Sequence, residues 1–297
     1  MIQATKPDGS PPGQPVLGHS IVIVAIPAYN EGRFVLETLK SVQSQTHRDF
    51  LAVVSDNGSS DRTAEICQTF CRSDNRFVVI SQSTNLGAAG NFQWLFDNTA
   101  SPYFMWLGGH DMISSDFLER HLRALSDDSK LALSYSNIRC IDQNSKFIGE
   151  KDGGNYHRIA GTPAQRYRRA LQRMGPAEPI NSLFRRESLK GAQVKPVTSI
   201  DRMILCQAAY WGQFNKIDEP LYVRRFFTDR EGGSVARLAR IKGHAVKDAD
   251  RLATVFEFQR QFRQLENSWS ERALFAMTIW KRHFKYMWRD IKRRFRH

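Results

Sequence analysis

The chain has 297 residues, 41% of them hydrophobic, and a net charge of +13. This size suits one large domain, or a domain with an added lobe, and excludes a disulfide miniprotein. Cys67, Cys71, Cys140 and Cys206 give no disulfide framework, and Cys67 and Cys71 lack the second pair that a zinc site needs. They read as thiols in a reducing compartment. No stretch reaches the roughly 18–20 apolar residues that span a bilayer. Met1 to Ser20 is polar and rich in Gly and Pro, without a signal-peptide core, and is expected to be a disordered leader. The expected location is cytoplasmic, either soluble or peripheral on the cytoplasmic face of the membrane. The charge is uneven: residues 230–297 hold 17 Lys and Arg against seven acids. A basic segment of this kind points to an anionic partner: a membrane surface, a nucleic acid or a phosphorylated substrate.

In chain order, Ile21 to Ile26 is a continuous β-branched run, a central strand ended by Pro27. Val35, Leu39 and Val42 recur at helical spacing and predict a helix ending near Gln45. Phe50 to Val54 is a second strand, Asp61 to Arg72 a second helix, and Phe77 to Ile80 a third strand. Asn85 to Asn91 opens a third helix that reaches about Asn98, and Tyr103 to Leu107 is a fourth strand. Alternation of this kind with short loops predicts a doubly wound, mostly parallel sheet. The loops that follow the strands gather on one edge, where such sheets bind ligands. They carry Tyr29, Asn30, Glu31, Asp56, Asn57, Asn85, His110 and Asp111.

The first loop lacks G-x-G-x-x-G, and no phosphate-cradling G-x-x-x-x-G-K-[ST] is present. Acids stand where a phosphate cradle would place backbone amides. They make sense beside a diphosphate if a divalent cation bridges them, or if they bind a base or ribose.

Five ordered blocks now coincide. They are Ile26-Pro27-Ala28-Tyr29-Asn30-Glu31, Ser41-Val42-Gln43-Ser44-Gln45-Thr46, Asp56 to Thr63, Asn85-Leu86-Gly87, and the strand leading to His110-Asp111. Together they resemble glycosyltransferase family 2, the nucleotide-sugar-dependent inverting transferases of GT-A fold. The resemblance implies a GT-A-type doubly wound, mostly parallel sheet with flanking helices and, here, a helical extension. It divides the chain into a leader (1–20), a nucleotide-sugar-binding half (21–135), an acceptor-binding half of the same domain (136–230) and a basic helical extension (231–297). It implies that Pro27, Ala28, Tyr29 and Glu31 hold base and ribose and that Asp56 accepts from a uracil N–H, so that the donor is a UDP-sugar. It implies that Asn85 and Gly87 shape the floor under the donor, and counts Asn57 and Gly109 among the donor-binding residues.

One block departs from the pattern. The family carries D-x-D after the fourth strand, and this chain has Gly108-Gly109-His110-Asp111. His110 falls on the metal position, with Asp111 beside it as an oxygen ligand for Mn²⁺ or Mg²⁺. Imidazole suits Mn²⁺ better than Mg²⁺. Relatives often place a His after the arginine of a later segment, where Phe226 and Phe227 stand here. This shifts weight from a cation toward Arg224 and Arg225 as stabilisers of the leaving diphosphate.

In the second half, Ser114-Ser115-Asp116 is expected to cap a helix from Phe117 to Leu125. Leu131 to Ser136 is a strand, with Phe147-Ile148 returning as a hairpin, and Gly149 to Gly161 reads as a mobile loop. Arg166, Arg168, Arg169 and Arg173 form one face of a helix, either solvated or functional. Asn181 to Phe184 is a short strand. Thr198 to Leu205 resembles the family segment that carries the catalytic base, which places that role on Asp201. Thr198-x-x-Asp201 is also a capping box. One base and no second acid as nucleophile fits inversion.

Finally, Met277, Trp280, Phe284, Met287, Ile291 and Phe295 form an apolar stripe opposite basic residues. Such a helix suits an anionic membrane interface or packs on the domain. The implied partners are a nucleotide-sugar, a glycan or lipid-linked acceptor, and that membrane surface, as in polysaccharide, lipopolysaccharide or glycolipid synthesis. Two other readings stay open: a nucleotide-sugar-binding protein without catalysis, and a basic nucleic-acid-binding module, which leaves the acids at the sheet edge unexplained.

Overall fold

A computed structural model describes residues 20–173, 178–194, 200–227 and 248–294. The leader and Thr198 lie outside the described residues, as do the side chains beyond Lys281. In order the elements are β1 (Val22–Ala28), α1 (Val35–Gln43), β2 (Phe50–Asp56), α2 (Thr63–Cys71), β3 (Phe77–Ser81), α3 (Gly87–Asp97) and β4 (Tyr103–Trp106). They continue with β5 (Met112–Ile113), α4 (Phe117–Asp127), β6 (Leu131–Ile141), β7 (Phe147–Lys151), α5 (Pro163–Arg173), β8 (Leu183–Arg185), α6 (Ile200–Trp211) and β9 (Gln213–Arg225). The last two helices are α7 (Asp248–Arg263) and α8 (Trp269–Arg294). No helix among the described residues is long and apolar enough to cross a membrane.

The sheet order is β3-β2-β1-β4-β8-β6-β9-β5, with β7 on β6. The first four strands pair in parallel, as the βα alternation predicts. Beyond β4 the sheet is mixed: β8 runs antiparallel to β4 and β6, whereas β6 and β9 are parallel. The expected boundary at 135/136 falls inside β6, so one sheet serves both halves.

The central strands are buried on both faces. Along β1, Ile23 and Ala25 enter one core cluster, and Val22, Val24 and Ile26 enter the other. That alternation explains the uninterrupted apolar run, since each fully buried Val or Ile contributes about 1.5–3 kcal/mol. Helices cover both faces: α1, α2 and α4 line one core, and α3, α5, α6, α7 and α8 the other.

Pro27 does not end β1, which continues through Ala28. The last residue of β1 paired with β4 is Ala25, opposite Trp106. By strand alternation Pro27 faces that same edge, where β4 has already turned away, so its missing N–H interrupts no ladder.

Other expectations are revised. Helix α4 has no side-chain cap from Asp116; instead Gln45 Oε1 accepts from Leu118 N at 3.0 Å. Gln45 Nε2 donates to Ser41 O and Ser114 O, so the Ser41–Thr46 block is a brace between α1 and α4. The segment from Gly149 to Gly161 is anchored: its first residues belong to β7, and Tyr156 and Ile159 are core residues. Tyr135 Oη donates to Gly154 O and accepts from Tyr156 N. Arg166 on α5 is structural too, donating to Ala209 O and Tyr210 O at the end of α6. Carbonyls at a helix end lack intrahelical partners, which is the need this guanidinium meets.

Candidate donor-binding site

The site is built on the ends of β1, β2 and β4. Ala28 and Asp56 are register partners, so the loops after β1 and β2 start side by side. Asp61 locks them together. Its Oδ2 accepts from Gly32 N at 2.9 Å, and its Oδ1 accepts from Thr63 N at 2.9 Å and from the Thr63 hydroxyl. Burial pushes the Asp61 carboxyl up, but the hydrogen bonds from Thr63 and Gly32 outweigh it and hold the group below its ordinary value. Thr63 Oγ1 in turn accepts from Glu31 N. Asn30 holds a left-handed backbone (φ 53°), and its Oδ1 accepts from Ser60 N. The Asp56–Thr63 block is therefore mostly the clamp that shapes the Tyr29–Gly32 loop.

Within that frame Asp56 is 3% exposed. Among the described residues its carboxylate accepts one side-chain hydrogen bond, from Ser59 Oγ to Oδ1. Oδ2 remains as an acceptor for a ligand. Tyr29, 48% exposed, stands on the neighbouring loop.

Asn57 is spent on the scaffold. Its Nδ2 donates to Asn85 Oδ1 (2.9 Å) and Gly87 O, and its Oδ1 accepts from Leu86 N. It thus pins the start of α3 to β2. Gly87 takes φ +71°, a conformation costly for residues with a Cβ, while Asn85 Oδ1 accepts its N–H. Asn85 itself is exposed, and a groove continues along α3 past Ala88, Gly90, Gln93 and Trp94 to Val194.

The Gly108–Asp111 stretch meets both the first loop and β9. A Cβ on Gly109 would lie 3.2 Å from Glu31 Cγ and 3.4 Å from Pro27 O, so the chain crosses the end of β1 at the closeness only glycine permits. His110 then turns toward the first loop, with Nδ1 2.9 Å from Glu31 Oε1 and the ring edge-on to Phe227 at 5.2 Å. Asp111 is 7% exposed. Its Oδ2 accepts from Tyr222 Oη and its Oδ1 from Arg225 N, both at 2.8 Å. Burial first, and then the Asp111 charge, raise the Tyr222 phenol well above its ordinary value.

Of the expected metal pair, Asp111 has both oxygens hydrogen-bonded by β9. Its Oδ2 and His110 Nε2 nonetheless lie on one side of Gly108, 3.3 and 3.7 Å from where a Cβ would stand. Among the described residues no three His, Cys, Asp or Glu side chains cluster for a metal. What fits a cation is narrower: a single imidazole ligand, His110 through Nε2. Its other nitrogen meets the Glu31 carboxylate, as metal-bound histidines commonly do.

Arg225 is corrected. Its guanidinium is buried, donating to His110 O, Asp142 O, Ser145 Oγ and Glu37 Oε2, and lies over the Phe34 ring. It braces the loops and offers nothing to a diphosphate. Arg224 alternates to the other face of β9, stacked on Phe226, with Lys151 Nζ 4.1 Å from that same ring. Pro27, Ala28, Asn57 and Gly109 are likewise buried supports, with Ala28 O accepting from Asn57 N. Asp201 sits in the first turn of α6, half-buried, its Oδ1 accepting from Arg202 N.

Tyr222, Ser59 and Thr63 were given no role in the sequence, and Phe227 was noted only as standing where relatives place a His. Only Ser59 and Thr63 lay within a recognised block. Tyr222 reads as one more apolar strand residue until β9 is laid beside Asp111.

Comparison with known proteins adds to this geometry. Residues 23–191 match the family model "Glycosyl transferase family 2". An uncharacterised glycosyltransferase of Rickettsia conorii is 27% identical over 139 residues, 47% of this chain and 22% of the relative. The glycosyltransferase GlyG of Streptococcus pneumoniae is 23% identical over 141 residues, 48% of this chain and 44% of the relative. The matched part is thus well under half of these relatives' length. Among solved structures, S. aureus TarS 1–349 in complex with UDP-GlcNAc superposes with a TM-score of 0.66 at 16% identity, over 89% of this chain and 73% of TarS. The mannosyltransferase PcManGT of Pyrobaculum calidifontis, in complex with GDP-Man and Mn²⁺, gives 0.53 at 14% identity, over 89% and 70%. These likenesses show the fold, a GT-A-type α/β sheet.

Proposed function

The chain belongs to glycosyltransferase family 2, and from that premise we propose that it moves a sugar from a UDP-sugar donor to an acceptor hydroxyl with inversion. The observation that carries the donor reading is Asp56: a buried carboxylate at the end of β2 whose Oδ2 accepts nothing from the described residues. An imide N–H such as that of uracil satisfies it. Tyr29 flanks the base, and Asn85 and Gly87 form the floor under the sugar. The UDP-GlcNAc complex of TarS lends the choice of UDP support.

Asp201 is the general base. It takes the acceptor proton as that oxygen bonds to the anomeric carbon. The bond from that carbon to the diphosphate oxygen breaks, its electron pair leaves on UDP, and configuration inverts. Arg224 is the cationic partner that the new charge on the leaving group needs. A divalent cation, when bound, neutralises that same charge; His110 Nε2 holds it and Glu31 orients the ring. An imidazole ligand favours Mn²⁺ over Mg²⁺. Residues 21–135 serve the donor and 136–230 the acceptor, a glycan or a lipid-linked glycan of the cell surface.

A thermal-shift screen of UDP-, GDP- and dTDP-sugars with Mn²⁺, Mg²⁺ or EDTA tests the reading, because a ligand of the folded state raises Tm. A shift with UDP-sugars that is larger with Mn²⁺ supports it. A shift with GDP-sugars alone defeats the base assignment, and equal shifts with and without Mn²⁺ remove the cation from His110. Asp201→Asn keeps the UDP shift and loses donor turnover; retained turnover contradicts its role as base.

A further inference from the structure

Among the described side chains, helices α7 and α8 bury one side and leave the other exposed. On α8, Phe275 and Ile279 are 2% and 4% exposed, and Phe275 stacks on Phe262 at 4.3 Å and meets Tyr167 edge-on. Leu274 and Met277 are 45% and 70% exposed. Met277 and Ile279 are two residues apart, which on a helix sets them on nearly opposite sides. On α7, Leu252 and Phe256, four apart, are also exposed. Phe256 meets Trp280 edge-on at 5.9 Å, and Trp280, half-buried against the core, bridges the two helices at the margin of their open side. Of the apolar stripe of the sequence, Met277 lies on the open side, whereas Trp280 is half-buried and packs against the core.

The backbone of α8 continues as helix to Arg294. Residues 277–297 contain eight Lys and Arg and one acid. Charge decides between two occupants of the patch. A second copy would bring another +10 from residues 230–297 against the first. An anionic lipid surface neutralises that charge and accepts the apolar side chains at the same time.

We infer that the open face of α7 and α8, centred on Met277, Leu274 and Phe256, docks this protein on an anionic membrane surface. The helix lies in the interface plane and crosses nothing. This inference stands independently of the donor assignment.

Vesicle flotation of the full chain tests it, with phosphatidylcholine vesicles and with vesicles in which part of the lipid is phosphatidylglycerol, at low and high salt. The wild type floats with the anionic vesicles at low salt and much less at high salt, because surface charges are screened. Leu274→Glu with Met277→Glu lowers that binding by about tenfold or more. Both side chains are exposed, so Tm and the UDP-sugar shift stay unchanged. Absence of wild-type binding to anionic vesicles, or equal binding by the double variant, overturns the inference. A concentration-dependent dimer that the double variant dissolves, without vesicle binding, overturns it in favour of a second copy.

Discussion

The Tyr222 hydroxyl donates to Asp111 Oδ2 at 2.8 Å, and both residues are buried. This bond, with Arg225 N on the other oxygen, makes Asp111 a joint between β9 and the turn that follows β4. Tyr222→Phe strips one oxygen of a buried carboxylate of its donor, which costs about 1–3 kcal/mol. Urea unfolding should show that loss while UDP-sugar binding in Mn²⁺ persists. Asp111→Asn should likewise lower stability more than donor affinity. Loss of Mn²⁺-dependent binding at unchanged stability would return Asp111 to the metal.

The two neighbouring arginines should separate in the same way. Arg225→Ala removes a buried guanidinium that pairs with half-exposed Glu37 and donates to three further oxygens. Leaving buried acceptors without their donor costs about 1–3 kcal/mol each. Arg224→Ala should leave Tm near the wild-type value and slow donor turnover. Denaturation and turnover measured on both variants check this, and a stable Arg225→Ala would mean the guanidinium network carries little.

A third prediction concerns pH. His121 on α4 is fully buried, with Nδ1 2.8 Å from Ser134 Oγ and its ring against Phe117. Burial first, and then Arg120, push its pKa down to about 3. The folded protein keeps this ring neutral while the unfolded chain protonates near its ordinary value. The stability of the neutral form is therefore fully present above about pH 6.5 and is lost as pH falls toward 3, by about 1.4 kcal/mol per unit. Urea melts at pH 7 and pH 5 should show the wild type losing about 2 kcal/mol more than His121→Leu does. Equal losses would remove His121 from the acid response.

The first half of the fold was legible because each strand there is a continuous apolar run and each loop is short. The alternation of Val22, Ile23 and Val24 between two cores needs no more than a strand period and two covering layers. The mixed half was less legible, since β8 and β9 depend on long-range pairing with β6 that no local pattern encodes. In the site, the Asp56 and Asn85 loops were located by spacing alone. The direction of a side chain was not: adjacent His110 and Asp111, and adjacent Arg224 and Arg225, look like pairs in sequence. Arg224 and Arg225 lie on extended β9, where successive side chains face opposite ways. His110 and Asp111 lie in a turn closed by Asp111 N to Gly108 O, where no strand period says which way a side chain points.

The central claim is tested most directly by calorimetric titration of UDP and GDP into the wild type and into Asp56→Asn. A hydrogen bond to a charged group contributes about 1.5–3 kcal/mol, so UDP should bind the wild type and bind the variant at least about tenfold more weakly. GDP should bind neither with comparable affinity. UDP affinity unchanged in Asp56→Asn, or a wild type that takes GDP and not UDP, would contradict the account.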